Sequence, residues 1–128
     1  MRILLDTHAF LWGLADSGRL SRRALRLMED EGNELLWSAA SSWEVAIKYA
    51  LGRIRLPEPP GRYLPARLQA QRVDPLPVSD AHAWRVAELP PHHRDPFDRL
   101  LIAQALVEGL PIVTADRAFK KYDVDILW

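Results

Sequence analysis

Two short apolar runs each end on a carboxylate, and no other feature of the chain constrains its fold as tightly. Ile3-Leu4-Leu5 stops at Asp6, and Ile112-Val113 passes through Thr114 and Ala115 to Asp116. Apolar residues without polar alternation mark a strand buried on both faces, as in a parallel sheet covered by helices on each side. Asn33 to Ala39 holds a third such run, Leu35-Leu36-Trp37.

Helical patterns separate these runs. Thr7 to Asp16 places Phe10, Leu11, Leu14 and Ala15 on one face, and Ser21 opens a helix with Ala24, Leu25, Leu27 and Met28 apolar. Ser41 to Gly52 reads as a helix with a stripe of Trp43, Ala46, Ile47 and Ala50, ended by Gly52. Prolines dominate Arg53 to Val78, where the pattern predicts one short helix over Leu64 to Gln71, with Pro65 in its first turn, between extended pieces. A capped helix follows from Ser79 and stops at Pro90. Asp95 then caps a long helix ending near Gly109, and the chain closes with a strand, a helical turn and a last strand, Val124 to Trp128. Strands alternating with helices predict an α/β fold, one parallel sheet covered on both faces, in a single domain over 1–128.

Composition removes several classes. No run of 18 apolar residues is present, so no membrane span is expected. Asp6 interrupts the apolar start and no small-residue cleavage site follows, so no signal peptide is expected. With no cysteine there is no disulfide framework, which fits a cytoplasmic protein. Seventeen basic and seventeen acidic residues balance, unlike a basic nucleic-acid module. No HExxH, GxGxxG, Walker loop or GxSxG is present, so zinc-protease, nucleotide-cofactor and serine-hydrolase roles have no support. His92-His93 reads as loop surface, and the five tryptophans read mostly as core, with Trp12 and Trp43 flanking the acidic rim.

Four acids remain. Asp6 and Asp116 stand at strand ends, and Glu44 and Asp98 in the first turns of their helices, so all four belong to the carboxyl rim of a parallel sheet. Each also has a capping reading: Ser41 to Glu44 matches a capping box, and Asp6 and Asp116 can open the turns that follow. Asp95 is assigned to capping. Two carboxylates ~4 Å apart repel by about 4 kcal/mol at an effective dielectric of 20, so a cluster calls for a cation. Oxygen-only ligands suit Mg²⁺ or Mn²⁺, and such a site activates water and stabilises a phosphodiester in displacement.

The segments LLDTHAFLW, SAASSWEVAIKYALGRI, LPPHHRDPFDRLLIAQA and LPIVTADRAF together resemble the PIN-domain family, most closely its VapC-type ribonuclease toxins. The resemblance spans essentially the whole chain. It implies a three-layer α/β/α sandwich and a Mg²⁺- or Mn²⁺-dependent endoribonuclease acting on RNA. It also implies a homodimer held inactive by a cognate antitoxin protein. By position, the family's acids fall on Asp6, Glu44, Asp98 and Asp116, as catalytic residues and metal ligands. Thr114 is a supporting hydroxyl, and Arg99 is either a phosphate contact or a helix-surface ion pair. Two other readings share these residues: a PIN-like module acting mainly in an antitoxin–DNA complex, and a metal-dependent DNase or flap-type nuclease.

Overall fold

The structure, a computed structural model, describes residues 1–128. Five parallel strands are β1 (Arg2–Leu5), β2 (Glu34–Ser38), β3 (Val73–Leu76), β4 (Ile112–Val113) and β5 (Ile126–Leu127), in the order β3-β2-β1-β4-β5. Leu4 pairs with Leu36 on one side and with Ile112 on the other, so β1 is central. Six α-helices connect them: α1 (Thr7–Ala15), α2 (Arg22–Glu29), α3 (Ala39–Ala50), α4 (Pro60–Ala70), α5 (Asp80–Arg85) and α6 (Pro96–Glu108). The order grows from β1 outward to β3 and then restarts beside β1 with β4. The connections therefore diverge between the carboxyl ends of β1 and β4, where such sheets open a crevice.

The pleat sends alternate side chains into two cores. Ile3, Leu5, Leu35, Trp37 and Val113 pack with Phe10 of α1, Ala24 of α2, Val45 of α3 and Leu64 of α4. Leu4, Leu36 and Ile112 pack on the other face with Leu101, Ile102 and Ala105 of α6 and with Phe119 and Tyr122. This is the three-layer α/β/α sandwich expected from the sequence. No helix is long and apolar enough to cross a membrane.

Local chemistry accounts for most boundaries. The Asp95 side chain accepts the Phe97 and Asp98 amides at 2.8 and 3.1 Å, and Pro96 occupies the first helical position of α6, where a missing N–H costs nothing. Gly109 ends α6 at φ +66°, a left-handed conformation that a side chain disfavours. Ser21 caps α2 through the Ala24 amide at 3.0 Å, as its sequence predicts.

Four expectations need correction. α4 starts at Pro60 rather than Leu64, so Pro60 is its opening proline and Pro65 lies inside the helix. α3 starts at Ala39, with Ser38 as its cap, so Glu44 lies beyond the first turn and the capping-box reading fails. Its buried face is Ala40, Ser41, Glu44 and Val45, whereas Trp43, Ala46 and Ala50 are exposed. Of the five tryptophans only Trp37 is buried; Trp84 and Trp43 are exposed, and Trp12 and Trp128 are half-buried. The extended piece before Ser79 is β3, an edge strand, where Pro75 is tolerated because an edge leaves amide positions unpaired.

Candidate active site

Asp6 leaves β1 while still held in the sheet, its amide donating to the Val113 carbonyl at 3.0 Å. It occupies the cap position of α1, but its side chain caps nothing. Instead, Asp6 Oδ2 accepts from the buried Thr114 hydroxyl at 2.8 Å, and Thr114 Oγ1 in turn accepts the Asp116 amide at 3.0 Å. Burial pushes the Asp6 pKa above the ordinary carboxylate value; the Thr114 bond and His8 pull it back, and Glu44 and Asp116 add to the rise.

The charges of the other three acids all reach Asp98. Asp98 lies at the third position of α6, where a helix dipole favours an anion. Burial outweighs that preference, and with the charges of Asp6, Asp95, Glu44 and Asp116 it pushes the Asp98 pKa up to about 8. Asp116 Oδ1 caps the Ala118 amide at 2.9 Å, so its bland capping role is real, but Oδ2 remains for other work. Glu44 is 2% exposed: Oε2 pairs with Lys48 one turn on, and Oε1 is buried without a hydrogen-bond partner. Lys48 shows the other side of this field. Burial lowers its pKa, but the bond to Glu44 and the charges of Glu44, Asp95 and Asp98 outweigh that and raise it.

His93 joins the site although its sequence suggested loop surface. Its Nε2 lies 2.9 Å from Asp116 Oδ2 and 3.1 Å from Asp98 Oδ2, so the ring bridges acids on two elements. The readable signal was its place two residues ahead of the α6 cap, where its Nδ1 accepts the Asp95 amide at 3.2 Å. Arg99 also departs from expectation. It makes no ion pair with an acid; its guanidinium is spent on the carbonyls of Val86, Leu89, Pro90 and His93 and on the Tyr122 hydroxyl. It is a strut, not a free phosphate contact.

The donor set fits a hard divalent cation. A buried carboxylate oxygen with no partner, and a carboxyl pushed up to about 8 by burial and by the neighbouring acids, are both costs that a cation among them would offset. The residues able to hold it are Asp6, Asp98 and Asp116, with Glu44 completing the set, and all offer oxygen. His93 with Asp98 and Asp116 forms a group whose ligand atoms lie within 4.8 Å of one another. With Nδ1 accepting an amide, however, Nε2 carries the proton and offers a hydrogen rather than a lone pair.

Comparison with known proteins agrees with this architecture. The profile of the PIN domain family matches residues 3–125. Ribonuclease VapC22 of Mycobacterium tuberculosis is 32% identical over 121 residues, covering 94% of this chain and 91% of that protein. Ribonuclease VapC16 of the same organism is 45% identical over 56 residues, a match spanning 44% of this chain and only 40% of that protein. Among solved structures, VapBC2 from Rickettsia felis, bound to a DNA fragment from their promoter, superposes with a TM-score of 0.72 at 17% identity, over 98% of this chain and 97% of that one. VapBC-1 from nontypeable Haemophilus influenzae gives 0.68 at 18% identity, over 98% and 96%. At such identities the structural likeness speaks to fold.

Proposed function

The chain belongs to the PIN-domain family, and from that premise we propose that it is a metal-dependent endoribonuclease, the toxin of a toxin–antitoxin pair. The observation that carries the chemistry is the gathering of Asp6, Glu44 and Asp116 around Asp98, whose carboxyl feels burial and all three charges, at the diverging ends of β1 and β4. Its relatives named as VapC ribonucleases support the same reading.

A bound Mg²⁺ or Mn²⁺ would supply an acidified water and positive charge for displacement at a phosphodiester. Everything else falls to the chain. Asp6, steadied by Thr114, and Asp98 would hold the cation as principal ligands. Asp116 keeps one oxygen on its own turn and offers the other inward. Glu44 Oε1 is an acceptor with no other partner, suited to orient a water, while Lys48 holds the other carboxylate oxygen. Arg94 and Arg117, both exposed and next in sequence to His93 and Asp116, offer phosphate contacts despite a net charge of +0. Trp43, 59% exposed and backed by Phe97 with ring centres 5.1 Å apart, offers a flat surface to an unpaired base.

The partners follow from the same reading: a cognate antitoxin, and a second copy of the chain in a cytoplasmic homodimer. Trp43 on α3 and Leu51 just past its end are exposed, and an apolar-walled groove lined by Ala46, Leu64 and Leu68 runs between α3 and α4. Exposed apolar surface of this kind marks interaction sites. A basic side chain of an antitoxin would meet the acidic cluster and silence it.

The decisive experiment incubates purified protein with single-stranded RNA and with DNA of equal sequence. RNA should be cut in Mg²⁺ or Mn²⁺ and spared in EDTA, and DNA should survive. Cleavage undiminished by EDTA, or confined to DNA, would sink the proposal. Sedimentation should show a dimer, and co-expression with a small antitoxin encoded in a neighbouring reading frame should give an inactive complex.

A further inference from the structure

His93 is fixed at every polar atom it has. Its amide donates to the Tyr122 hydroxyl at 2.8 Å, its carbonyl accepts from Arg99 at 3.4 Å, and its Nδ1 accepts from the Asp95 amide at 3.2 Å. Tyr122 in turn donates to the Pro90 carbonyl at 2.9 Å and accepts from Arg99 at 3.3 Å. Arg99 also donates to the carbonyls of Pro90 and Val86 at 3.0 and 3.1 Å, so the loop ahead of α6 is stapled to that helix. The Phe119 ring meets the imidazole edge-on, at 5.9 Å between centres and 80°.

This clamp leaves the imidazole one direction. Its Nε2–H donates to Asp116 Oδ2 at 2.9 Å and stands 3.1 Å from Asp98 Oδ2. Asp98 belongs to α6 and Asp116 to the turn after β4, so no backbone hydrogen bond sets their separation. When both carboxylates are ionised, as cation binding requires, their repulsion would drive them apart unless a donor stands between them.

We propose that His93 is a positioning residue for cation binding, holding the Asp98 and Asp116 carboxylates at a fixed separation while the Arg99–Tyr122 clamp holds His93 itself. The proposal rests on the metal-dependent nuclease reading above. Its physical content is preorganisation: the repulsion between two ligands is met during folding, so the cation does not have to gather them. Partners that orient metal ligands in this way are typically worth about 10- to 100-fold in affinity.

The test measures Mn²⁺ binding by electron paramagnetic resonance of the free ion, and Mg²⁺ binding by competition, alongside melting in EDTA and RNA cleavage. His93→Leu should weaken both ions by roughly tenfold or more, with cleavage recovering as metal is raised. His93→Gln, whose amide nitrogen reaches about as far as Nε2, should restore most of the affinity. Tyr122→Phe should weaken binding in the same direction, and the double variant His93→Leu/Tyr122→Phe should lose no more than His93→Leu alone, because the clamp acts only through the imidazole. Unchanged affinity in His93→Leu overturns the proposal, as does full additivity in the double variant. A loss confined to Mn²⁺ would make His93 a ligand and equally overturns it. Wild-type protein that binds neither ion and cuts no RNA would instead bring down the nuclease reading on which the proposal rests.

Discussion

Thr114 and Asp6 are 108 residues apart in the chain and joined by a 2.8 Å hydrogen bond, hydroxyl to carboxylate, between the ends of two adjacent strands. The same hydroxyl oxygen accepts the Asp116 amide, so one buried side chain ties two of the four acids together. Because the Thr114 bond lowers the Asp6 pKa, it is a handle on the site's own electrostatics.

Thr114→Val keeps the shape and removes the hydroxyl. Both bonds are lost inside the core, at a cost of about 1–3 kcal/mol in stability, readable as a lower melting temperature. The Thr114 bond lowers the Asp6 pKa, so without it that pKa rises further and the acid limb of the pH–rate profile should move to higher pH. An unmoved acid limb would show that Asp6 does not need this donor.

Asp6→Asn should leave the fold intact, since the amide oxygen can still accept from Thr114. Loss of a ligand for the cation that would stabilise developing negative charge by several kcal/mol should cut RNA cleavage by on the order of 10²-fold or more. One negative charge fewer among four relieves repulsion, so the melting temperature in EDTA should hold or rise. Full activity of this variant in Mg²⁺ would refute the mechanism.

The Asp98 carboxyl, at about 8 in the fold against 3.8 ordinarily, sets a pH dependence. Between these values the folded chain holds a proton that the unfolded chain has lost, so raising the pH favours unfolding. In EDTA the melting temperature should therefore fall as pH climbs from about 4 to about 8, then level off. Asp98→Asn should flatten that slope, and saturating Mg²⁺ should reverse it at the alkaline end by occupying the ionised cluster. Melting curves of both proteins across pH, with and without metal, provide the check.

Lys48→Met separates the buried Glu44 carboxylate from its cation. Glu44 is then left charged among other acids, and the metal-free protein should lose about 3 kcal/mol, measured by urea unfolding. Added Mg²⁺ should recover part of the loss. Equal stability of variant and wild type would mean that Lys48 is a surface partner of little consequence.

What the sequence determined by itself is local. The apolar runs Ile3–Leu5 and Ile112–Val113 read as covered strands, and Asp6 and Asp116, which follow them within three residues, then lie on the carboxyl rim. Asp95-Pro96 and Gly109 delimited α6 through chemistry contained within a few residues. Such features are legible because backbone capping and strand burial depend on neighbours along the chain.

The tertiary structure decided which side chains those elements turn toward one another. α3 carries an apolar stripe through Trp43, yet it buries the stripe of Ser41, Glu44 and Val45, because the packing partner and not the helix chooses the inward face. The indole is left in solvent and the carboxylate is drawn in. His93 meets Asp116 across 23 residues, and Arg99 finds carbonyls rather than an acid, through bonds that exist only once the loop has folded back on α6. A periodicity carries no information about such pairings: it fixes where a backbone runs, and the meeting of two distant polar groups depends on how separate elements dock.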